Sequence, residues 1–108
     1  THIVMRPARD DELGRIVEID RASFAQPWSP MSFASVMMDE KYVVLVAEIE
    51  NQICGFGAAY TVGDEGEIAT LAVDENFRGR GVGAQIINSL CDWCAHRGAK
   101  SIFLEVRP

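Results

Sequence analysis

Residues 76–83 read Asn-Phe-Arg-Gly-Arg-Gly-Val-Gly, with three glycines alternating with two arginines and a valine. An apolar run, Ile68 to Val73, precedes this stretch, and an amphipathic run beginning at Val82 follows it. Several kinds of chemistry use such a composition. A disordered arginine–glycine tether would lie in a polar region, whereas this stretch is clamped between two structured patterns. A Walker A loop needs Lys-Ser or Lys-Thr after its last glycine, and neither is present. A dinucleotide fingerprint needs a different glycine spacing and an acidic residue ending a second strand, and neither is met. The physics common to those loops remains. A helix N-terminus offers unpaired backbone N–H groups and a positive dipole end, which together hold phosphate. Glycines remove the Cβ atoms that would keep a pyrophosphate away from those amides, and Arg78 and Arg80 add charge beside the seat. The plain alternative is a strand-to-helix turn whose glycines only satisfy backbone geometry.

Other reactive residue types form no competing constellation. Cys54, Cys91 and Cys94 are an odd number, unsuited to a disulfide framework. Cys91 and Cys94 form a C-x-x-C late in a helical pattern, far from the helix N-terminus that lowers a redox thiol's pKa. His2 and His96 are the only histidines, too few for a zinc site, so no metal is expected. Six more acidic than basic residues (16 against 10) exclude a non-specific phosphate-backbone binder, and no nucleic-acid partner is expected. The 108 residues are 48 % apolar and 24 % charged, an ordinary globular balance that predicts one domain over 1–108. No apolar run approaches bilayer length and the first residues lack signal-peptide shape, which predicts a soluble cytoplasmic chain without a membrane partner.

The elements that must position the glycine stretch follow from periodicity. Ile3 to Met5 reads as a first strand. Asp10 or Asp11 can cap a helix with Leu13, Ile16 and Val17 on one face. Ser29 suits an N-cap and Pro30 the first helical position of a second helix, with Phe33, Val36 and Met37 on one side. Tyr42 to Ile49 and Ile53 to Tyr60 read as an antiparallel hairpin turned at Glu50-Asn51-Gln52. Gly63, Asp64 and Gly66 break the pattern before a strand over Glu67 to Val73. Val82, Ile86, Ile87, Leu90 and Trp93 or Cys94 repeat at helical spacing, His96 and Arg97 suit the negative helix end, and Gly98 stops it. Ser101 to Val106 reads as the last strand. The order is β-α-α-β-β-β-α-β, an α/β fold whose final strand–helix–strand implies a parallel crossover. Trp93, Phe56 and the Met37-Met38 pair read as packing residues, and Tyr42 and Tyr60 occupy no position that suggests catalysis.

Arg78-Gly79-Arg80-Gly81-Val82-Gly83 matches R/Q-x-x-G-x-G/A, and the chain thereby resembles the GNAT N-acetyltransferase superfamily, whose acetyl-CoA signature this is. Two further stretches resemble the RimI-type ribosomal-protein alanine N-acetyltransferases. Phe24-Ala-Gln-Pro-Trp-Ser-Pro-Met-Ser-Phe33 is similar to their F-x-x-P-W-S-x-x-x-F segment, and Leu104-Glu-Val-Arg107 to their LEVR strand. The resemblance implies a GNAT-like mixed sheet flanked by helices, and acetyl transfer from acetyl-CoA to an amine. The acceptor it implies is the N-terminal α-amine of a protein, with a small-molecule amine as the alternative. It implies that Gly79 to Ala84 seat the pyrophosphate, with Arg78 and Arg80 beside it, and that Leu71, Ala72 and Val73 bond the pantetheine arm. A backbone N–H near Val73 could polarise the thioester carbonyl. Pro27 and Trp28 would line the acceptor side, although Trp28 could equally be a helix-entry hydrophobe packed as a staple. Glu105 is the base that the resemblance nominates. Against it stands a solvent-facing glutamate alternating with Leu104 and Val106, and Glu67 is the rival base.

The family pattern continues past Arg107-Pro108 with an Asn-containing turn, a helix carrying a tyrosine that acts as the acid for the departing thiolate, and two more strands. The expectation is a domain truncated at its C-terminus, lacking those strands. Its last strand would then present an open edge that favours a homodimer or poor solubility. A non-catalytic acyl-CoA-binding or interaction domain is the alternative class.

Overall fold

The computed structural model describes residues 2–104. Five strands form one sheet in the sequential order β1 (Val4–Pro7), β2 (Tyr42–Ile49), β3 (Gln52–Val62), β4 (Glu65–Val73) and β5 (Ser101–Leu104). The first four are antiparallel neighbours, and β5 joins β4 in parallel, with Glu65 opposite Ser101 and Ile68 opposite Leu104. Helices α1 (Leu13–Ser23) and α2 (Pro30–Met37) cover one face, and α3 (Val82–His96) covers the other. The expected order and parallel crossover are both present.

Local chemistry accounts for most boundaries. Ser29 caps α2 by accepting the Ser32 N–H at 3.1 Å, with Pro30 at the first helical position. Glu50 and Asn51 both take positive φ, 51° and 66°, as a two-residue type I′ hairpin turn demands. Gln52 therefore already belongs to β3 rather than to the turn. The next hairpin is also tighter than expected: β3 runs on to Val62 and β4 starts at Glu65, because Gly63 at φ +59° reverses the chain at once. Gly98 at φ +94° ends α3 as expected.

One expected cap is wrong. Neither Asp10 nor Asp11 caps α1; both lie in a short 3-10 turn, Asp10–Glu12, that leads into it. The closing interaction comes from Glu12, whose carboxylate accepts the Arg9 backbone N–H at 2.7 Å. Glu12 wins because its carboxylate is also held by Arg6, at 2.5 and 2.8 Å, which no local pattern discloses.

The faces of the sheet bury separate cores. Ile16, Ile19, Phe33, Val46 and Phe56 are enclosed beneath α1 and α2, with Phe33 edge-on to Phe56 at 5.5 Å. On the other face Val82, Ile86, Leu90 and Cys94 of α3 lie at i, i+4, i+8 and i+12 and are all buried. Phe56 is core as expected, Trp93 is half-buried beneath the Arg97 guanidinium at 4.7 Å, and Met38 is exposed. Cys94 is buried within α3 and burial pushes its thiol pKa up, the opposite of a redox C-x-x-C. Among the described residues no group of three or more candidate ligands could hold a metal ion. No described helix is long and apolar enough to cross a membrane.

Candidate functional site

The site is built where β4 hands the chain to α3. Asp74 N–H still bonds across to Cys54 O at 2.8 Å, so the strand register persists through the end of β4. A 3-10 turn, Glu75–Phe77, follows, capped by Asp74, whose carboxylate accepts the Asn76 N–H at 2.8 Å. Arg78 to Gly81 then swing the chain into α3. Gly79 and Gly81 both take left-handed backbone, φ +79° and +81°, a conformation that costs an L side chain about 1–2 kcal/mol. Gly81 is the N-cap, and the Gln85 N–H is the first to return to it, at 3.2 Å. The amides of Val82, Gly83 and Ala84 therefore open the helix without an intrahelical acceptor.

The space above these amides is free. A Cβ built on Gly79 or Gly81 meets no atom within 4 Å, and one on Gly83 meets only Val73 Cγ2, at 3.8 Å. Val73, Phe77, Arg78, Gly79, Gly81, Val82 and Gly83 line a recess of about 310 Å³. The arginines frame this seat from outside. Arg78 Nε donates to Val73 O at 3.2 Å, and the Arg80 guanidinium stacks over the Phe77 ring at 5.2 Å. Phe77 thus lines the recess, a place that only its position between the strand and the glycines hinted at in the sequence. The residues fit a diphosphate: three open amides, a helix dipole, glycines where side chains would intrude, and two guanidinium groups at the rim.

Residues Leu71 to Val73 lead into the same recess. They pair with β3 through Leu71–Gly57, Ala72–Phe56 and Val73–Gly55. Upstream, the register shifts between Ala58 and Ala59, leaving Ala69 as the extra residue in β4. A bulge bends a strand and turns its peptide groups, here four residues before Val73, the first residue lining the recess. Parallel pairing with β5 is described as far as Ile68–Leu104, on the near side of that bulge.

On the other face, Trp28 and Phe33 sit with ring centroids 5.0 Å apart, across the N-cap of α2. That is the staple contact, joining the residue before the cap to the fourth helical residue. Trp28 also lines an open apolar cavity of about 530 Å³ with Ser29, Met31, Ser32, Ser35 and Val36. Its backbone N–H donates to Asp20 Oδ2 at 2.9 Å, and Asp20 is fully buried. Pro27 is exposed beside it and does not line that cavity.

Of the two candidate bases, Glu105 lies outside the described residues. Glu67 stands on β4 opposite Phe103, with the Tyr60 hydroxyl bonded to its carboxylate. Tyr60 in turn stacks on Tyr42 at 4.9 Å, and burial pushes the Tyr42 phenol pKa up. The structure therefore gathers Tyr42, Tyr60 and Glu67, three residues that sequence spacing did not connect.

Comparison with known proteins identifies the family and the fold. Residues 13–108 match the model of the acetyltransferase (GNAT) family. A Salmonella typhimurium [ribosomal protein bS18]-alanine N-acetyltransferase is 31% identical over 90 residues, covering 83% of this chain and 60% of its own length. Its Escherichia coli K12 counterpart is 29% identical over 96 residues, 89% of this chain and 64% of its own. The crystal structure of the ribosomal-protein-S18-alanine N-acetyltransferase from Escherichia coli superposes with a TM-score of 0.87 at 26% identity, over 98% of this chain and 68% of that one. The chain thus spans between three-fifths and seven-tenths of these relatives' lengths. Its sheet order, its glycine-bearing strand-to-helix turn and the family match lead to one statement: the chain belongs to the GNAT acetyltransferase family.

Proposed function

We propose that the chain transfers an acetyl group from acetyl-CoA to the N-terminal α-amine of a protein, of the ribosomal-protein alanine type. The observation that carries the reading is the phosphate seat: open amides at Val82 to Ala84 below left-handed Gly79 and Gly81. In this reading acetyl-CoA is a co-substrate. Its diphosphate lies over Gly79 to Ala84, and its pantetheine arm runs along Leu71, Ala72 and Val73. Arg78 and Arg80 hold the rim, and a backbone N–H near Val73 faces the thioester oxygen as a donor to the developing oxyanion. The named bS18-alanine acetyltransferases among the relatives support this choice of acceptor, and in this reading Trp28 and Pro27 lie on the acceptor side.

The α-amine of a peptide has a pKa of roughly 7.7–8.0, so a modest base suffices to deliver it neutral. Glu105 is that base in our reading. Glu67 is the weaker candidate because Tyr60 already engages its carboxylate. The neutral amine attacks the acetyl carbonyl, a C–N bond forms, and the C–S bond breaks as the tetrahedral intermediate collapses. The proton the amine loses to the base is passed on, through solvent, to the departing thiolate, so that CoA leaves as the thiol.

The test is release of CoA thiol from acetyl-CoA with an alanine-initiated peptide, with the acetylated peptide identified by mass. We expect turnover that falls about 10²-fold or more in Glu105→Gln and much less in Glu67→Gln. CoA binding without turnover on peptides or on small amines would instead identify a non-catalytic acyl-CoA-binding domain.

A further inference from the structure

Beside the phosphate seat lies a carboxylate that an anion-binding site would be expected to avoid. Asp74 directly precedes the 3-10 turn and shares a cavity of about 180 Å³ with Arg78, a residue of the seat itself. An uncompensated negative charge there would oppose a diphosphate. The main compensation comes from Arg15 of α1, 59 residues away in sequence, with a smaller contribution from Arg78. Arg15 Nη2 donates to Asp74 Oδ2 at 2.6 Å, while its Nε and Nη2 donate to Ile53 O at 3.2 and 3.0 Å. Ile53 precedes Cys54, the extra residue where the β2–β3 register shifts, so its carbonyl stands at an irregularity that Arg15 fills. A single guanidinium thereby pins α1, β3 and the entrance of the loop. Asp74's other oxygen stays on the Asn76 N–H.

We infer that Arg15 is a positioning residue for the CoA site, acting by neutralising Asp74 beside the diphosphate. The inference rests on the proposed function and names a contributor to that same site which the signature stretch does not contain. Supporting electrostatics agree. The bond from Arg15 holds the Asp74 carboxyl below its usual range, and the Arg15 pKa is raised because its bonds to Asp74 and Glu18 outweigh the opposing effect of burial.

A neutralising role and a purely structural clamp predict different orders of affinity. A clamp needs both partners, so losing either one should weaken CoA binding alike. With neutralisation, Arg15→Met leaves a bare carboxylate beside the seat, whereas Asp74→Asn removes the offending charge and keeps an oxygen for the Asn76 N–H. Isothermal titration of CoA into the wild type and the variants Arg15→Met, Asp74→Asn and the double variant separates the two. We expect wild-type binding, a loss of about tenfold or more in Arg15→Met, wild-type or tighter affinity in Asp74→Asn, and partial recovery in the double variant. Near-ultraviolet circular dichroism confirms that each variant is folded. Equal losses in Arg15→Met and Asp74→Asn, no loss in Arg15→Met, or no recovery in the double variant would overturn the inference. Absence of CoA binding by the wild type would overturn the proposed function instead.

Discussion

Gly81 holds a left-handed backbone and an open space above it at once, so a side chain there acts on both. Gly81→Val should abolish CoA binding, because the branched side chain enters the volume a diphosphate would use. Backbone strain alone costs about 1–2 kcal/mol, and Gly63 offers the control. It has a similar φ, +59°, with the same open surroundings, in the hairpin between β3 and β4. Gly63→Val should lower the melting temperature about as much as Gly81→Val while CoA still binds. Normal CoA affinity in Gly81→Val, measured by titration calorimetry, would show that the glycines serve only the turn. At this scale much was legible in the sequence. The glycines, the Ser29-Pro30 helix start and the staple option for Trp28 are all local, written within a few residues. The Tyr60–Glu67 bond was not, since it depends on the β3–β4 pairing that brings the two residues together.

At the level of elements, α3 is seated on glycines of the sheet it covers. A Cβ on Gly57 would come within 2.6 Å of Ile86 Cγ2 and 2.8 Å of Leu90 Cδ1. One on Gly66 would come within 2.9 Å of Cys94 Cβ, and one on Gly55 within 3.0 Å of both Ile86 Cδ1 and Ala72 O. The helix thus approaches the strands closely along most of its length, which fixes where its N-terminal amides point. Gly57→Val should destabilise the fold by about 1–3 kcal/mol, as overpacking does, read from urea unfolding. CoA affinity should fall with it, because pushing the helix outward displaces the seat. The apolar face of α3 was plain from the spacing of Val82, Ile86, Leu90 and Cys94. The complementary stripe was not, because Gly55 and Gly57 fell inside one strand pattern and Gly66 read as a break before the next, so the three did not read as one surface.

For the whole molecule, the strands and helices are tied together by ion pairs, two of them between residues remote in sequence. Arg6 of β1 bridges Glu12 and Glu48, and Arg15 of α1 bridges Asp74. The bond from Arg6, reinforced by the Arg9 N–H, pushes the Glu12 carboxyl pKa down to about 2 from an ordinary 4.5. A carboxyl more acidic in the folded state stabilises the fold above its unfolded pKa, and that contribution drains away as pH falls toward the folded value. Stability should therefore drop between about pH 4.5 and pH 2, and Glu12→Gln should flatten that part of the profile. Urea unfolding at a series of acidic pH values measures it, and an unchanged slope in the variant would show that Glu12 is not a principal acid-sensitive group. The strand order, the crossover and the family were legible from pattern and signature. The long-range ion pairs were not, since nothing in a local window tells Arg15 from any other helical arginine.

The central claim is that the N-terminal amides of α3 hold the diphosphate of CoA, and amide-resolved NMR observes those groups themselves. Titrating CoA into uniformly ¹⁵N-labelled protein should produce its largest shift changes at the amides of Gly79, Gly81, Val82, Gly83 and Ala84, with smaller ones at Leu71 to Val73. Changes centred elsewhere, or an unperturbed set of loop amides at saturating CoA, would contradict it.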